Sequence, residues 1–238
     1  MTPSEAAGPH HDLRVAEAGA PLHRAKAAVL IVHGRGAEAS DMVSLADILV
    51  QPDLAYLAPQ AAGRSWYPHS FLAPIARNEP FLSSALQVLD TLLGRLGSEG
   101  LQPERVALLG FSQGACLALE YAARHARRYG AVIGLSGGLI GPEGTPRDYA
   151  GQLAGTPVFL GCSDADPHIP LDRVHETARV LEALGGTVTE RIYPGMGHGI
   201  NEDEIKQVRS LLARFGPRAG SGGPDPSTTR RDVDHGRN

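Results

Sequence analysis

Apolar and polar positions follow one another in blocks, with short continuous apolar runs separated by longer amphipathic segments. Continuous apolar runs are typical of strands that helices cover on both faces, and parallel strands need helical crossovers between them. The pattern therefore predicts a single α/β domain with a mostly parallel, doubly wound sheet and helices on both faces. The predicted strands cover residues 28–32, 54–58, 106–110, 131–135, 158–162 and 188–193, with an edge strand at 13–18, and the predicted helices cover 42–49, 80–96, 114–127, 171–184 and 202–215.

The two ends of the chain depart from this pattern. Residues 1–12 are predicted to form a short flexible lead. From residue 216 onward Gly, Pro, Ser, Thr, Arg and Asp dominate, and Val233 is the one large aliphatic residue there, so we expect a disordered tail over 217–238. The folded domain is accordingly predicted to span 13–216.

Composition narrows the classes of function. A chain of 238 residues with 42% hydrophobic content can bury a substantial core, and its net charge of −4 with scattered Lys and Arg argues against a nucleic-acid partner. No apolar run is long enough to span a bilayer, and the first residues lack the features of a secretory signal, so we expect a cytoplasmic protein without integral membrane association. The two cysteines, Cys116 and Cys162, are expected to be buried and unbridged.

One pentapeptide carries the strongest chemical signal. The sequence Gly-Phe-Ser-Gln-Gly at 110–114 lies between a predicted strand and a predicted helix. A serine at the apex of such a turn presents its hydroxyl to substrate, and glycines two residues to either side let strand and helix approach closely. We therefore predict that Ser112 is a nucleophile. The alternative is an ordinary serine at a helix N-terminus.

A serine hydroxyl needs a base, and the base needs an acid to orient it. His198 is the predicted base, because it follows the last predicted strand, precedes the last predicted helix and has glycines on either side. Two carboxylates, Asp164 and Asp166, follow the strand at 158–162. We favour Asp166 as the acid, since Asp-Pro fixes a turn before the next helix, and assign Asp164 to capping of the loop.

The tetrahedral intermediate of acyl transfer needs backbone N–H donors for its oxyanion. The predicted donors are the amides of Gln113, which follows the serine, and of Arg35, in the glycine loop at 33–36. His33 is expected to bind loop backbone. The Arg35 side chain is expected to point to solvent, with attraction of an anionic substrate group as the alternative.

Aromatic and aliphatic residues on the loop after the second predicted strand are expected to bind substrate: Trp66, Tyr67, Phe71 and Leu72. Trp66 is the one tryptophan of the chain. We interpret it as a wall of the acyl pocket, and the alternative is that it fills the core.

With these residues the chain resembles the phospholipase/carboxylesterase family of α/β-hydrolases, which includes acyl-protein thioesterases. The resemblance covers about residues 25–215 and implies an α/β-hydrolase domain without a large cap domain. It also implies a Ser-Asp-His hydrolase, carried by Ser112, Asp166 and His198, that needs no metal or organic cofactor. Two departures are Arg35, where relatives often carry an apolar residue, and the tryptophan loop, which matches the family only in outline.

The predicted activity is hydrolysis of short- to medium-chain carboxylic esters through an acyl-enzyme. The alternatives are a lysophospholipase, an acyl thioesterase and a non-catalytic protein that keeps the fold to bind a small molecule. A small-molecule ester or thioester is the expected partner, and the sequence leaves a homodimer open.

Overall fold

The computed structural model describes residues 8–12, 14–49 and 51–215. The predicted tail at 217–238 lies outside the described residues, as do residues 1–7 of the predicted lead. Residue 13, where the edge strand was predicted to begin, is also outside them.

Seven strands of the described chain form one sheet in the order β1-β3-β2-β4-β5-β6-β7. The strands β2 to β7 pair in parallel, and β1 pairs antiparallel with β3 at one edge. The predicted fold class is confirmed, with strand bounds that differ from the prediction by at most two residues. The strands are β1 (Val15–Gly19), β2 (Ala27–Val32), β3 (Leu54–Pro59), β4 (Val106–Phe111), β5 (Ala131–Leu135), β6 (Pro157–Ser163) and β7 (Thr187–Tyr193).

Among the described residues, five α-helices cover the sheet on both faces. They are α1 (Ala39–Leu49), α2 (Phe81–Ser98), α3 (Gln113–Arg124), α4 (Leu171–Ala183) and α5 (Glu202–Leu212). Side chains of α2, α3 and α4 form the apolar core on one face, and side chains of α1 and α5 form the core on the other. This arrangement explains why β2 to β6 are buried almost throughout, whereas the edge strand β7 alternates between exposed and half-buried residues.

Two helices end three residues earlier than the sequence predicted. The helix predicted over 114–127 ends at Arg124, because His125 leaves helical geometry at φ −115° and ψ 46°. The helix predicted over 202–215 ends at Leu212 and is followed by a short 3-10 turn, Ala213–Phe215. Within the described residues, no helix has both the length and the apolar character needed to cross a bilayer.

The folded domain was predicted to begin at residue 13, but a residue before this position also packs against it. The imidazole of His10 is 3% exposed and packs against Trp66. Its Nδ1 accepts a hydrogen bond from the Ala62 N–H at 3.1 Å, and its Nε2 donates to the Trp66 carbonyl at 2.9 Å. Burial lowers the pKa of His10 despite the Trp66 hydrogen bond, so the ring is neutral in this position.

The parallel strands bring the candidate residues together. Because β2, β4, β6 and β7 run in the same direction, the loops at their carboxyl ends meet at one edge of the sheet. Each of these four loops carries at least one of the predicted site residues.

Candidate active site

Ser112 lies on a sharp turn between β4 and α3. Its backbone has φ 55° and ψ −121°, a conformation that residues other than glycine rarely adopt. A Cβ added to Gly110 would lie 2.3 Å from the Gly114 carbonyl oxygen, and one added to Gly114 would lie 2.1 Å from the Val32 carbonyl oxygen. Both glycines are therefore required by the close packing of β4, α3 and β2, which fixes the direction in which Ser112 projects.

Three of the predicted residues form a chain of hydrogen bonds. The His198 Nε2 lies 2.9 Å from the Ser112 Oγ, and the His198 Nδ1 lies 2.7 Å from the Asp166 Oδ2. Because an ionised carboxylate only accepts hydrogen bonds, Nδ1 carries the proton in the neutral ring. The Nε2 atom is then free to accept the proton of the Ser112 hydroxyl.

The Asp166 carboxylate is buried and accepts several hydrogen bonds. Its Oδ1 accepts hydrogen bonds from the backbone N–H groups of His168 at 2.8 Å and Ile169 at 3.1 Å. Burial alone would raise the pKa of Asp166, but these bonds and the bond from His198 outweigh it and lower the pKa. The carboxylate is thus ionised at neutral pH.

Asp164, the other candidate acid, binds a different part of the site. Its Oδ1 accepts a hydrogen bond from the Gly195 N–H at 2.8 Å, which ties the loop after β6 to the loop that carries His198. The structure thus brings Asp166 to the histidine and leaves Asp164 in the loop-capping position that the sequence suggested.

The two predicted oxyanion donors lie on either side of the serine turn. Gln113 is the first residue of α3, and Arg35 follows Gly34 in the loop after β2. A Cβ on Gly34 would lie 3.3 Å from both Phe111 and the Ser112 Cβ, so this loop packs directly on the turn. Among the described residues, neither the Arg35 nor the Gln113 N–H has a hydrogen-bond acceptor. Both amides are therefore available to a substrate oxygen.

The side chains of His33 and Trp66 stabilise the loop that carries Arg35 through hydrogen bonds. The buried His33 ring accepts a hydrogen bond from the Ala61 N–H at 3.0 Å and donates one to the Gly34 carbonyl at 2.8 Å. Burial lowers the pKa of His33, which favours the neutral ring that this pairing needs. The Trp66 indole N–H donates to the His33 carbonyl at 2.9 Å. His33 thus binds loop backbone, as the sequence suggested.

A cavity of about 450 Å³ opens beside Ser112. Of the four residues predicted to bind substrate, Tyr67 and Phe71 line it, and Trp66 and Leu72 do not. Trp66 is fully buried, so its interpretation as a pocket wall is corrected to the alternative in which it fills the core. Leu72 is half-buried and packs against the same core.

Several side chains to which the sequence assigned no part in the cavity also shape it. The Gln113 side chain accepts a hydrogen bond from the Trp66 N–H at 2.9 Å and donates one to the Tyr67 carbonyl at 2.8 Å, which fixes the rim. Cys116, His168 and Ile169 line the cavity. Cys116 could have been found, because it lies one helical turn after the serine and so on the same face of α3.

Metal ligands are not clustered in the part of the chain that the structure describes. No group of three or more His, Cys, Asp or Glu side chains there is arranged to hold a metal ion.

A wound parallel sheet with a serine on a sharp strand-to-helix turn, facing a histidine at its carboxyl edge, defines the α/β-hydrolase class. A family model described as Phospholipase/Carboxylesterase matches residues 13–215. The chain therefore belongs to the phospholipase/carboxylesterase family, a family of esterase-type hydrolases.

Individual relatives agree with this assignment. Acyl-protein thioesterase 1 of Gibberella zeae is 33% identical over 120 residues, a match that spans 48% of this chain and about half (50%) of that protein. Acyl-protein thioesterase 1 of Debaryomyces hansenii is 26% identical over 222 residues, which are 84% of this chain and 94% of that protein. The crystal structure of a phospholipase/carboxylesterase from Dyadobacter fermentans is 43% identical, covers 84% of this chain and 95% of its own, and superposes with a TM-score of 0.81.

Proposed function

We propose that the protein is a serine esterase in which Ser112 is the nucleophile, His198 the general base and Asp166 the residue that orients the base. The observation that carries this proposal is the pair of hydrogen bonds, 2.9 Å and 2.7 Å long, that joins the three side chains, with Ser112 on a strained turn. A hydroxyl, an imidazole and a buried carboxylate in this order are what acyl transfer requires.

Acylation begins when His198 Nε2 takes the Ser112 proton as Oγ attacks the ester carbonyl. The carbonyl carbon becomes tetrahedral and its oxygen gains negative charge, which the amides of Arg35 and Gln113 stabilise. The amide of Gln113 also stands at the N-terminus of α3, where the helix dipole favours negative charge. Protonated His198 then gives its proton to the leaving alcohol, and an acyl-Ser112 ester remains.

Deacylation repeats these steps with water. His198 takes a proton from water, the hydroxide attacks the acyl carbon, and the proton returns to Ser112 as the carboxylic acid leaves. Throughout both steps Asp166 holds Nδ1 protonated and stabilises the imidazolium. Its low pKa matters here, because a protonated carboxyl would carry no negative charge to stabilise the imidazolium.

Short- to medium-chain carboxylic esters are the proposed substrates, because the cavity of about 450 Å³ is lined by both polar and apolar residues. Acyl thioesters are a second candidate, which the names of the relatives from Gibberella zeae and Debaryomyces hansenii favour. The same three side chains would cleave either bond, since only the leaving atom differs.

A panel of p-nitrophenyl esters of increasing acyl length, with acyl thioesters beside it, tests the proposal. We expect Ser112→Ala to lower kcat by several orders of magnitude on every substrate that the wild type cleaves. Ser44→Ala, which changes an exposed serine of α1, is the matched control and should keep wild-type rates. Ordinary turnover by Ser112→Ala would refute the assignment.

A further inference from the structure

The Arg35 side chain is held at the mouth of the cavity by neutral oxygens. Its Nη1 donates to the Ser65 Oγ at 3.1 Å and to the Pro68 carbonyl at 2.9 Å, and its Nη2 donates to the His69 carbonyl at 2.7 Å. The sequence predicts that this side chain points to solvent. It is exposed, but it crosses to the loop at 65–69 and is oriented there.

These three bonds fix the guanidinium without neutralising it. Within the described ranges no carboxylate lies within salt-bridge distance of Arg35. A guanidinium has five N–H groups, so the Nε–H and one Nη2–H remain without an acceptor among the described residues. Arg35 therefore presents an oriented positive charge that no carboxylate of the described residues neutralises, and two of its N–H groups are free to donate.

The cavity beside this charge contains no acidic side chain. Arg35 lines it together with His69, His168, Ser112 and His198, and no Asp or Glu is among its lining residues. Asp166 lies behind His198, where its charge is engaged by the imidazole and by two backbone N–H groups. A substrate group in the cavity therefore meets one permanent cation, and no anion opposes it.

We propose that the cavity selects esters that carry a second, anionic group a short chain away from the scissile carbonyl, and that Arg35 binds this group. The inference deepens the proposed function and rests on it. A fixed guanidinium loses little side-chain entropy when it binds a carboxylate or phosphate, and a charge-assisted hydrogen bond is about twice as strong as a neutral one. A neutral ester gains neither advantage.

The wild-type protein is tested with two matched pairs of esters. On the acyl side, mono-4-nitrophenyl adipate is compared with its methyl ester, and on the alcohol side 4-acetoxybenzoate is compared with its methyl ester. Each pair differs by one charge, which is present at neutral pH. We expect kcat/KM, corrected for uncatalysed hydrolysis, to favour the anionic member at least about tenfold in one of the pairs. The pair that shows the preference identifies the side of the ester that carries the anion.

Variants of Arg35 connect the preference to this side chain. Arg35→Gln should abolish the ratio between anionic and neutral ester, and Arg35→Lys, which keeps the charge, should retain part of it. Arg179→Gln removes the same charge from an exposed position on α4 that does not line the cavity, and it should keep the wild-type ratio. Since screening weakens exposed charge pairs, the wild-type ratio should also shrink as salt is added.

The results that would overturn the inference differ from the result that would overturn the proposed function. Equal rates for both members of both pairs, a ratio that does not respond to salt, or an Arg35→Gln variant that slows both members equally would overturn the inference and assign Arg35 to loop support alone. Hydrolysis of the neutral esters would leave the proposed function intact in those cases. Failure of the wild type to cleave any of the four esters would remove both proposals.

Discussion

Glu204 is a buried carboxyl whose ionisation should govern how stability depends on pH. It lies in the first turn of α5 and is fully buried. Its Oε2 accepts the Asn201 N–H at 2.8 Å, but its Oε1 has no hydrogen-bond partner among the described residues and is pressed against Gly161. Burial, which outweighs the Asn201 bond, raises the pKa of Glu204 from 4.5 to about 7.

The magnitude follows from linkage between proton binding and folding. Between pH 4.5 and about 7 the folded chain holds the Glu204 proton more tightly than the unfolded chain, so stability falls as pH rises through this window. Each tenfold difference in proton affinity is worth about 1.4 kcal/mol, so the loss at pH above both values is about 3 kcal/mol. The Glu204→Gln variant has no charge to bury and can still accept the Asn201 N–H. Its stability should therefore not fall in this way as pH rises.

Urea unfolding of wild type and Glu204→Gln across this pH range is the assay. The variant should gain stability relative to wild type as pH rises, by up to about 3 kcal/mol at slightly alkaline pH. Glu202→Gln removes an exposed carboxyl from the same helical turn and should show no comparable trend. A difference between Glu204→Gln and wild type that stays constant with pH would show that folding does not raise the proton affinity of Glu204.

Two further predictions concern the acid and the serine turn. Asp166→Asn should lower kcat by about four orders of magnitude, because it loses the charge that orients His198, whereas Asp164→Asn should be mild; equal losses in ester assays would contradict this assignment. Gly114→Ala places a Cβ 2.1 Å from a carbonyl oxygen and should cost at least about 3 kcal/mol of unfolding free energy, whereas Gly94→Ala on α2 has open space and should be neutral or stabilising by up to about 1 kcal/mol. A thermal melt that ranks these two glycine variants the other way would refute the packing argument.

Local pattern was sufficient for the layout of the fold. The strands of the sheet are short continuous apolar runs because both faces are covered, and that property is visible in the sequence without any long-range information. The meeting of Ser112 and His198 could be predicted for a related reason. Each lies in the loop that follows a predicted strand, and parallel strands bring such loops to one edge of the sheet.

Side-chain direction and partners across loops could not be predicted in the same way. Trp66 is an aromatic residue on a loop near the site, but its side chain faces the core, where its indole N–H donates to the His33 carbonyl. Glu120 is 1% exposed inside α3, where a carboxylate is unexpected from the sequence. It can be buried there because Arg124 and the Ile140 N–H donate hydrogen bonds to it. The choice between Asp164 and Asp166 likewise rests on hydrogen bonds to a loop some thirty residues further along the chain.

Covalent labelling shows whether His198 and Asp166 make Ser112 a nucleophile. A fluorophosphonate reacts with an activated serine hydroxyl and mimics the tetrahedral intermediate. The protein should gain one phosphonyl group, mapped by tandem mass spectrometry to Ser112, at a rate that falls steeply in His198→Ala. Binding of small esters without labelling, or labelling at another residue, would contradict the account and favour a non-catalytic binding protein.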